Sequence, residues 1–363
     1  MESPRQSADD LSLRDLLARV PVRESLLGLV VAFLLLSRLL WVIFVGIPWQ
    51  TGGAAYLAYR AQKGVDAGQV VYRDFAFEYP PIAWWVTAMP RWIDTNSYPD
   101  YRVPVETARQ FRNWYFLFFY IEMFAADLVC FGLLMAIGRR FSGRAEWLLP
   151  AAYTAITISQ PHYMYDTFDV GLLMFVLLSI GCWLNSLDNS RAAERWGIAS
   201  YLFLSLGISF KVMPIFFVPF LLLADWRFHG VRKLAPRILL LVAAAAGPFL
   251  LHARSAGWAV LHMFKYHGER GINTESTWGG LMLALRFAGI ECESVNSHVA
   301  FDLVSPWSGW LKVVASVTQL LSIAALMVWA IWRGARFDRR LALDTAILSL
   351  LNVAVLSNVY STY

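Results

Sequence analysis

The segment YRDFAFEYPP at 72–81 places Asp74 and Glu78 four residues apart among aromatic neighbours. The pair Pro80 and Pro81 forces Tyr79 into extended geometry and prevents a helix from running through the segment. At the edge of a membrane, such a fixed acidic loop can supply a general base or orient a substrate hydroxyl. The same residues also suit an ordinary interfacial loop, with aromatics at headgroup level and acids in water. Further candidates are His162, Asp166, Asp169, Lys211, His262, His267, Glu269, Arg270 and Glu275. Lys211 and Arg270 are suited to neutralising an anionic headgroup. Each also has a plainer reading. His162 fits a satisfied interfacial histidine, Asp166 and Asp169 fit helix N-terminal caps and dipole partners, Lys211 fits a snorkelling lysine, and His267, Glu269 and Arg270 fit a solvated loop.

The elements that must position these residues are membrane helices. Of the 363 residues, 58% are hydrophobic, 15% aromatic and only 16% charged, and mean hydropathy is +0.49. Those values exclude an ordinary soluble domain and indicate an all-α polytopic membrane protein. The net charge of +5 does not point to nucleic acid, because no basic run is interleaved with aromatics. Cys130 and Cys182 fall in apolar runs and Cys292 stands alone in a polar interval, so neither a disulfide framework nor a CxxC site is expected. HxxxH, HExxH and Asp-x-Asp patterns are absent, as are a P-loop and a dinucleotide-binding glycine pattern, so no metal, cofactor or soluble nucleotide donor is expected. No signal-peptide pattern precedes the first apolar run.

Residues 1–24 read as a cytoplasmic segment and 25–363 as a single membrane domain of about nine spans: 26–45, 113–137, 147–159, 168–184, 197–210, 213–223, 238–251, 310–332 and 341–357. Arginines and lysines in the short loops place those loops in the cytoplasm. Two long intervals, 46–112 with the acidic segment and 252–306, then lie outside, and 277–290 reads as re-entrant or interfacial. Arg38, within the first run, is expected to snorkel or to face the interior. The arms 197–210 and 213–223 are short enough to leave a hollow near Lys211. By this reading the unusual polar residues gather on the outer side, and the end at Tyr363, directly after a span, suggests truncation.

Four stretches carry a resemblance: VYRDFAFEYPP at 71–81, YDTFDVGLL at 165–173, LGISFKVMPIFFVPFLLL at 206–223 and ERGINTESTW at 269–278. With them the chain resembles the polyprenyl-phosphate-mannose-dependent alpha-mannosyltransferase-like family of bacterial membrane proteins, which have the GT-C fold. VYSTY at 359–363 resembles the start of a further outer segment of that family. The resemblance implies a metal-independent, inverting hexosyltransferase. It would take a sugar, often mannose, from a polyprenyl monophosphate carrier to a lipid or glycan acceptor at the outer face of the cytoplasmic membrane. Asp74 or Glu78 would serve as base, and Lys211 and Arg270 would hold the donor phosphate. Tyr72, Tyr79, His162, Asp166, Asp169 and Glu275 would support the substrate, and Tyr72, Tyr79 and Trp278 can stack on sugar faces. One departure stands out. Where the family commonly carries a catalytic Asp four residues before a Tyr, this chain has Gly52 before Tyr56. Either Asp74 or Glu78 replaces it, or the loop aligns differently, or transferase activity has been lost. A lipid-linked sugar transporter and a non-catalytic member of the fold are the competing readings.

Overall fold

A computed structural model describes residues 22–41, 54–93, 114–141, 145–158, 161–188, 191–274, 276–297, 300–333 and 338–356. It is a mostly helical protein. Helix α1 spans Val22–Trp41, α2 Ala54–Asp66 and α3 Pro81–Ile93, with Pro81 at the first helical position, where its missing N–H costs nothing. Next come α4 (Trp114–Arg140), α5 (Ala145–Thr157), α6 (Pro161–Asp166), α7 (Asp169–Ser186) and α8 (Ala193–Phe210). A 3₁₀ turn at Met213–Phe217 leads into α9 (Val218–His229), and Gly230, at a positive φ of 78°, separates it from α10 (Val231–Ala256). Helix α11 covers His262–Glu269, α12 Thr277–Phe287, α13 Ser308–Trp332 and α14 Arg339–Leu356.

Among the described residues, four segments are long and apolar enough to cross a membrane: Tyr115–Arg140, Asp169–Ser186, Val231–Lys265 and Ser308–Trp332. Leu26–Trp41 is a shorter apolar helix. The 27 residues of α4 extend about 40 Å at 1.5 Å per residue, more than a hydrocarbon core of about 30 Å. The outward faces of α1, α10 and α13 carry large apolar side chains, among them Leu29, Phe33, Leu239, Leu250, Leu320 and Val328, all exposed. That surface suits lipid and would be unfavourable against water.

Helix α8 is gripped from two sides. Ser200 donates to Ser179 O on α7 at 2.9 Å, and Ser205 and Ser209 donate to Leu241 O and Ala245 O on α10 at 3.1 and 2.7 Å. Small hydroxylated residues of this kind hold helices together where lipid removes the hydrophobic drive between them. The expected pair of short arms is therefore replaced by an 18-residue helix and a 3₁₀ turn continued by α9. Residues 193–196 extend α8 because Glu194 finds Arg237 at 2.9 Å.

Two interior arginines hold the bundle. Arg38 faces inward, as one of its two expected placements had it, and Nε donates to Asp127 Oδ2 at 2.9 Å. Asp127 also accepts from Tyr165 at 2.6 Å and from Tyr153, and Arg38 reaches Thr157 O at 3.3 Å, so α1, α4, α5 and α6 meet at one charge pair. Arg237 is buried, and its Nη1 grips both oxygens of Asp225 at 2.7 and 2.8 Å.

The interval after α10 is not a loose loop. Strands β1 (Ile272–Asn273), β2 (Glu293–Ser297) and β3 (Ala300–Val304) form an antiparallel sheet in the order β1-β3-β2, with α12 between β1 and β2 in the chain. Ile272, Met282, Cys292, Leu303 and Leu311 make its small core, so Cys292 is a packing residue. Asp127→Ala is expected to lower stability by about 3–5 kcal/mol, because it leaves Arg38 buried without its carboxylate. Thermal unfolding of the detergent-solubilised chain measures this, and the double replacement Arg38→Leu with Asp127→Leu should recover part of the loss.

Candidate functional site

The acidic loop has an exposed half and a buried half. In the exposed half Asp74 closes a turn: its Oδ2 accepts from Val70 N at 2.7 Å and its own N–H donates to Val70 O at 2.9 Å. Arg73 holds the same carboxylate at 2.8 and 3.0 Å. The Arg73 hydrogen bond, followed by the Val70 N–H, holds Asp74 down at about 2, which makes it a poor proton acceptor near neutrality. Phe77, Glu78, Tyr79 and Pro80 turn inward and are buried. Tyr72, at φ 68°, occupies the left-handed region that bulky residues rarely adopt. It is held there by its hydroxyl, which donates to Tyr79 O at 2.8 Å, and by edge-to-face contacts with Phe77 and His252. Burial pushes the Tyr72 phenol up, so it stays a neutral donor.

Glu78 faces Arg270 across the bundle, with Oε2 to Nη1 at 4.0 Å, and their side chains are 7% and 0% exposed. Arg270 follows α11, and its backbone is pinned twice. Lys312, in the first turns of α13, donates to Arg270 O at 2.7 Å, and the next residue, Gly271, donates its N–H to Asp302 Oδ2 on β3 at 3.0 Å. A Cβ at Gly271 would sit 3.1 Å from Asp302 Cβ. Downstream, Ser276 caps α12 by accepting from Gly279 N at 3.0 Å and donates to Asn273 O at 2.7 Å. A Cβ at Gly279 would fall 2.1 Å from Asn273 O, so only glycine allows the start of α12 to lie against β1. Residues 271–274 and 276–280 thus form a short platform for Arg270, completed by Trp278, whose Nε1 donates to Leu356 O at the end of α14.

None of the three guanidinium nitrogens of Arg270 makes a hydrogen bond among the described residues. The other two large buried arginines differ. Arg38 donates from all three nitrogens, and Arg237 donates from both terminal ones.

An aromatic chain connects this pair with the second cation. Tyr79 meets Phe168 edge-on at 4.6 Å, and Phe168 meets Phe210 at 5.3 Å, directly before Lys211. Lys211 caps α8 in an extended conformation, and its ammonium is paired with Asp169, the first residue of α7. Each charge also sits at the helix end that favours it, a cation at a C-terminus and an anion at an N-terminus. Thr167 Oγ1 donates to Asp169 Oδ2 at 3.0 Å, and Asp166, at the end of α6, is buried beside this turn.

The structure therefore brings Tyr72, Glu78, Tyr79, Asp166, Asp169, Lys211 and Arg270 to one end of the bundle. The opposite end carries Arg140, which bonds Leu184 O at 3.0 Å, and the Arg237, Glu194 and Lys233 cluster. His162 lies on α6, but its side chain is outside the described residues, as are the side chains of His267 and Glu269 and the whole of Glu275. His262 begins α11 and is exposed. Four residues were not foreseen: Lys312, Asp302, Asp127 and His252, which lies between Tyr72 and Trp85. The signal for Asp127 was present, as one of two acids, with Glu122, inside a long apolar run. Its place away from the loop end also means that the unusual polar residues do not all gather on one side. No group of three or more His, Cys, Asp or Glu among the described residues could hold a metal ion.

The chain matches no family model, no curated protein and no solved structure.

Two outcomes follow from this geometry. Gly279→Ala should destabilise the platform by about 1–3 kcal/mol through overpacking, seen as a lower melting temperature. The Asp74 carboxyl falls from 3.8 to about 2 on folding, so its contribution is present above pH 3.8 and is lost as pH falls through 2. Asp74→Asn should abolish that acid-side dependence of melting without changing the neutral-to-alkaline limb.

Proposed function

We propose that the chain is a membrane glycosyltransferase of GT-C type with about nine spans. It would move a hexose, mannose by resemblance, from a polyprenyl-phosphate carrier to a lipid or glycan acceptor at the outer face of a bacterial cytoplasmic membrane. The observation that carries this reading is Arg270, a buried guanidinium with open donors beside a buried carboxylate. A planar fork of N–H donors matches the two unesterified oxygens of a phosphodiester. The donor carries one negative charge on its phosphate and the released carrier carries two, so a fixed cation favours the departing state over the bound one. Lys211, a short aromatic chain away, supplies a second positive charge.

Glu78 is the acid best suited to receive the acceptor proton, because Asp74 is held as a strong acid by Arg73. The acceptor oxygen attacks the anomeric carbon, its proton passes to Glu78, and the carbon–oxygen bond to phosphate breaks with its electron pair on the carrier. Lipid phosphate is a good leaving group, so positioning and charge complementarity supply most of what is needed. Tyr72 and Tyr79 shape the wall beside Glu78.

A transporter of lipid-linked sugars is the second reading, and the buried Arg38–Asp127 pair midway along α4 favours it. That carboxylate already accepts from Arg38, Tyr153 and Tyr165, as a structural tie would. Gly52, on which the loss of activity turns, lies outside the described residues.

Purified protein supplied with polyprenyl-phosphate-mannose and mixed lipid and glycan acceptors tests the reading. Sugar transfer is expected to fall by about 10²–10⁴-fold in Glu78→Gln, the usual range for a general base, and to survive Asp74→Asn. Carrier crossing vesicles intact, with no sugar released, would replace the transferase by the transporter.

A further inference from the structure

Glu78 and Arg270 are placed as an ion pair that does not close. At 4.0 Å, Oε2 and Nη1 are close enough to attract but beyond hydrogen-bond length. The backbone beneath each residue is held in place. Arg270 is pinned by Lys312 and, through Gly271, by Asp302. Glu78 is flanked by Tyr79, whose carbonyl is held by Tyr72, and by the rigid Pro80 and Pro81. A guanidinium buried with open donors is costly, and the bonded Arg38 and Arg237 show that this fold provides partners for an arginine that serves only structure. A phosphate can approach to about 2.7–2.9 Å and take two donors at once, whereas the Glu78 carboxylate stands 4.0 Å from Nη1.

We propose that Glu78 is the resting counter-ion of Arg270, displaced when the phosphate of a lipid-linked ligand takes its place, and that this exchange releases the carboxylate for the acceptor's proton. The catalytic half of this inference rests on the transferase reading; the binding half does not. The acceptor's O–H proton then moves to Glu78, the acceptor oxygen bonds the anomeric carbon, and the carrier leaves with the electron pair on its phosphate, which stays on Arg270. An empty site would keep the base occupied, so an acceptor hydroxyl would not be activated before the donor is seated.

The exchange has a signature that a purely structural ion pair would not produce: removing the carboxylate strengthens ligand binding. Full-length chain in detergent micelles is titrated with polyprenyl monophosphate, neutral polyprenol and inorganic phosphate, with binding read as thermal stabilisation and by direct titration. Wild type is expected to bind the lipid phosphate, to bind inorganic phosphate more weakly, and to ignore the alcohol. Glu78→Gln should bind the lipid phosphate about tenfold tighter, the scale of one charge-assisted interaction, and Arg270→Gln should lose binding. Glu78→Asp keeps the charge but withdraws it by one methylene, so it should also bind more tightly than wild type, by a smaller factor, even if Glu78→Gln folds poorly. Unchanged or weaker binding in the Glu78 variants overturns the exchange, and inorganic phosphate binding as tightly as the lipid overturns the lipid assignment. Sugar transfer is scored separately. Tighter variant binding with no transfer by wild type removes the transferase reading and keeps the exchange, whereas wild-type transfer with unchanged variant binding removes the exchange alone.

Discussion

A charge withdrawn from water into this bundle is stabilised by an opposite charge and hydrogen bonds beside it, and among the described residues three large buried arginines differ in how far they obtain them. Arg38 and Arg237 are bonded to Asp127 and to Asp225 with Glu194, and each links helices distant in the chain. Arg270 has a carboxylate within ion-pair distance but no hydrogen bond on its guanidinium among the described residues. The first two pairs are ties. On the third, the donors make no hydrogen bond among the described residues.

The neighbouring elements serve that arrangement. A three-stranded sheet with α12 forms a rigid step on which Arg270 sits, and Lys312 and Asp302 fix its backbone from α13 and β3. From the other direction, Tyr72 and the proline pair hold Glu78 in place, and Tyr79 and Phe168 connect it to the Asp169–Lys211 pair at the ends of α7 and α8. The charges come from segments almost 200 residues apart in the chain.

Much of this could be read along the chain. Runs of apolar residues marked helices, Pro80 and Pro81 marked the end of the acidic loop, and the alternation of the expected spans put Glu78, Asp166, Asp169, Lys211 and Arg270 on one side. The sheet could not be read in this way. A two-residue strand such as Ile272–Asn273 has no periodicity of its own and exists only because Leu303 and Asp302 lie opposite. The length of α8 was likewise hidden, since its first turn carries the charged Glu194 and Arg195, and Glu194 meets Arg237 only in the folded chain.

Composition and local pattern determined that this is a mostly helical chain with membrane-length apolar helices and a proline-stopped acidic loop, because hydropathy, helix length and turn chemistry act over a few residues at a time. Which acid is buried and which is exposed was decided only in three dimensions. Asp74 and Glu78 sit in one loop, four residues apart, yet one is neutralised by its neighbour Arg73 and the other by Arg270, brought from far along the chain. A carboxylate's chemistry depends on the charges and water around it, and for Glu78 those are set by packing between distant segments.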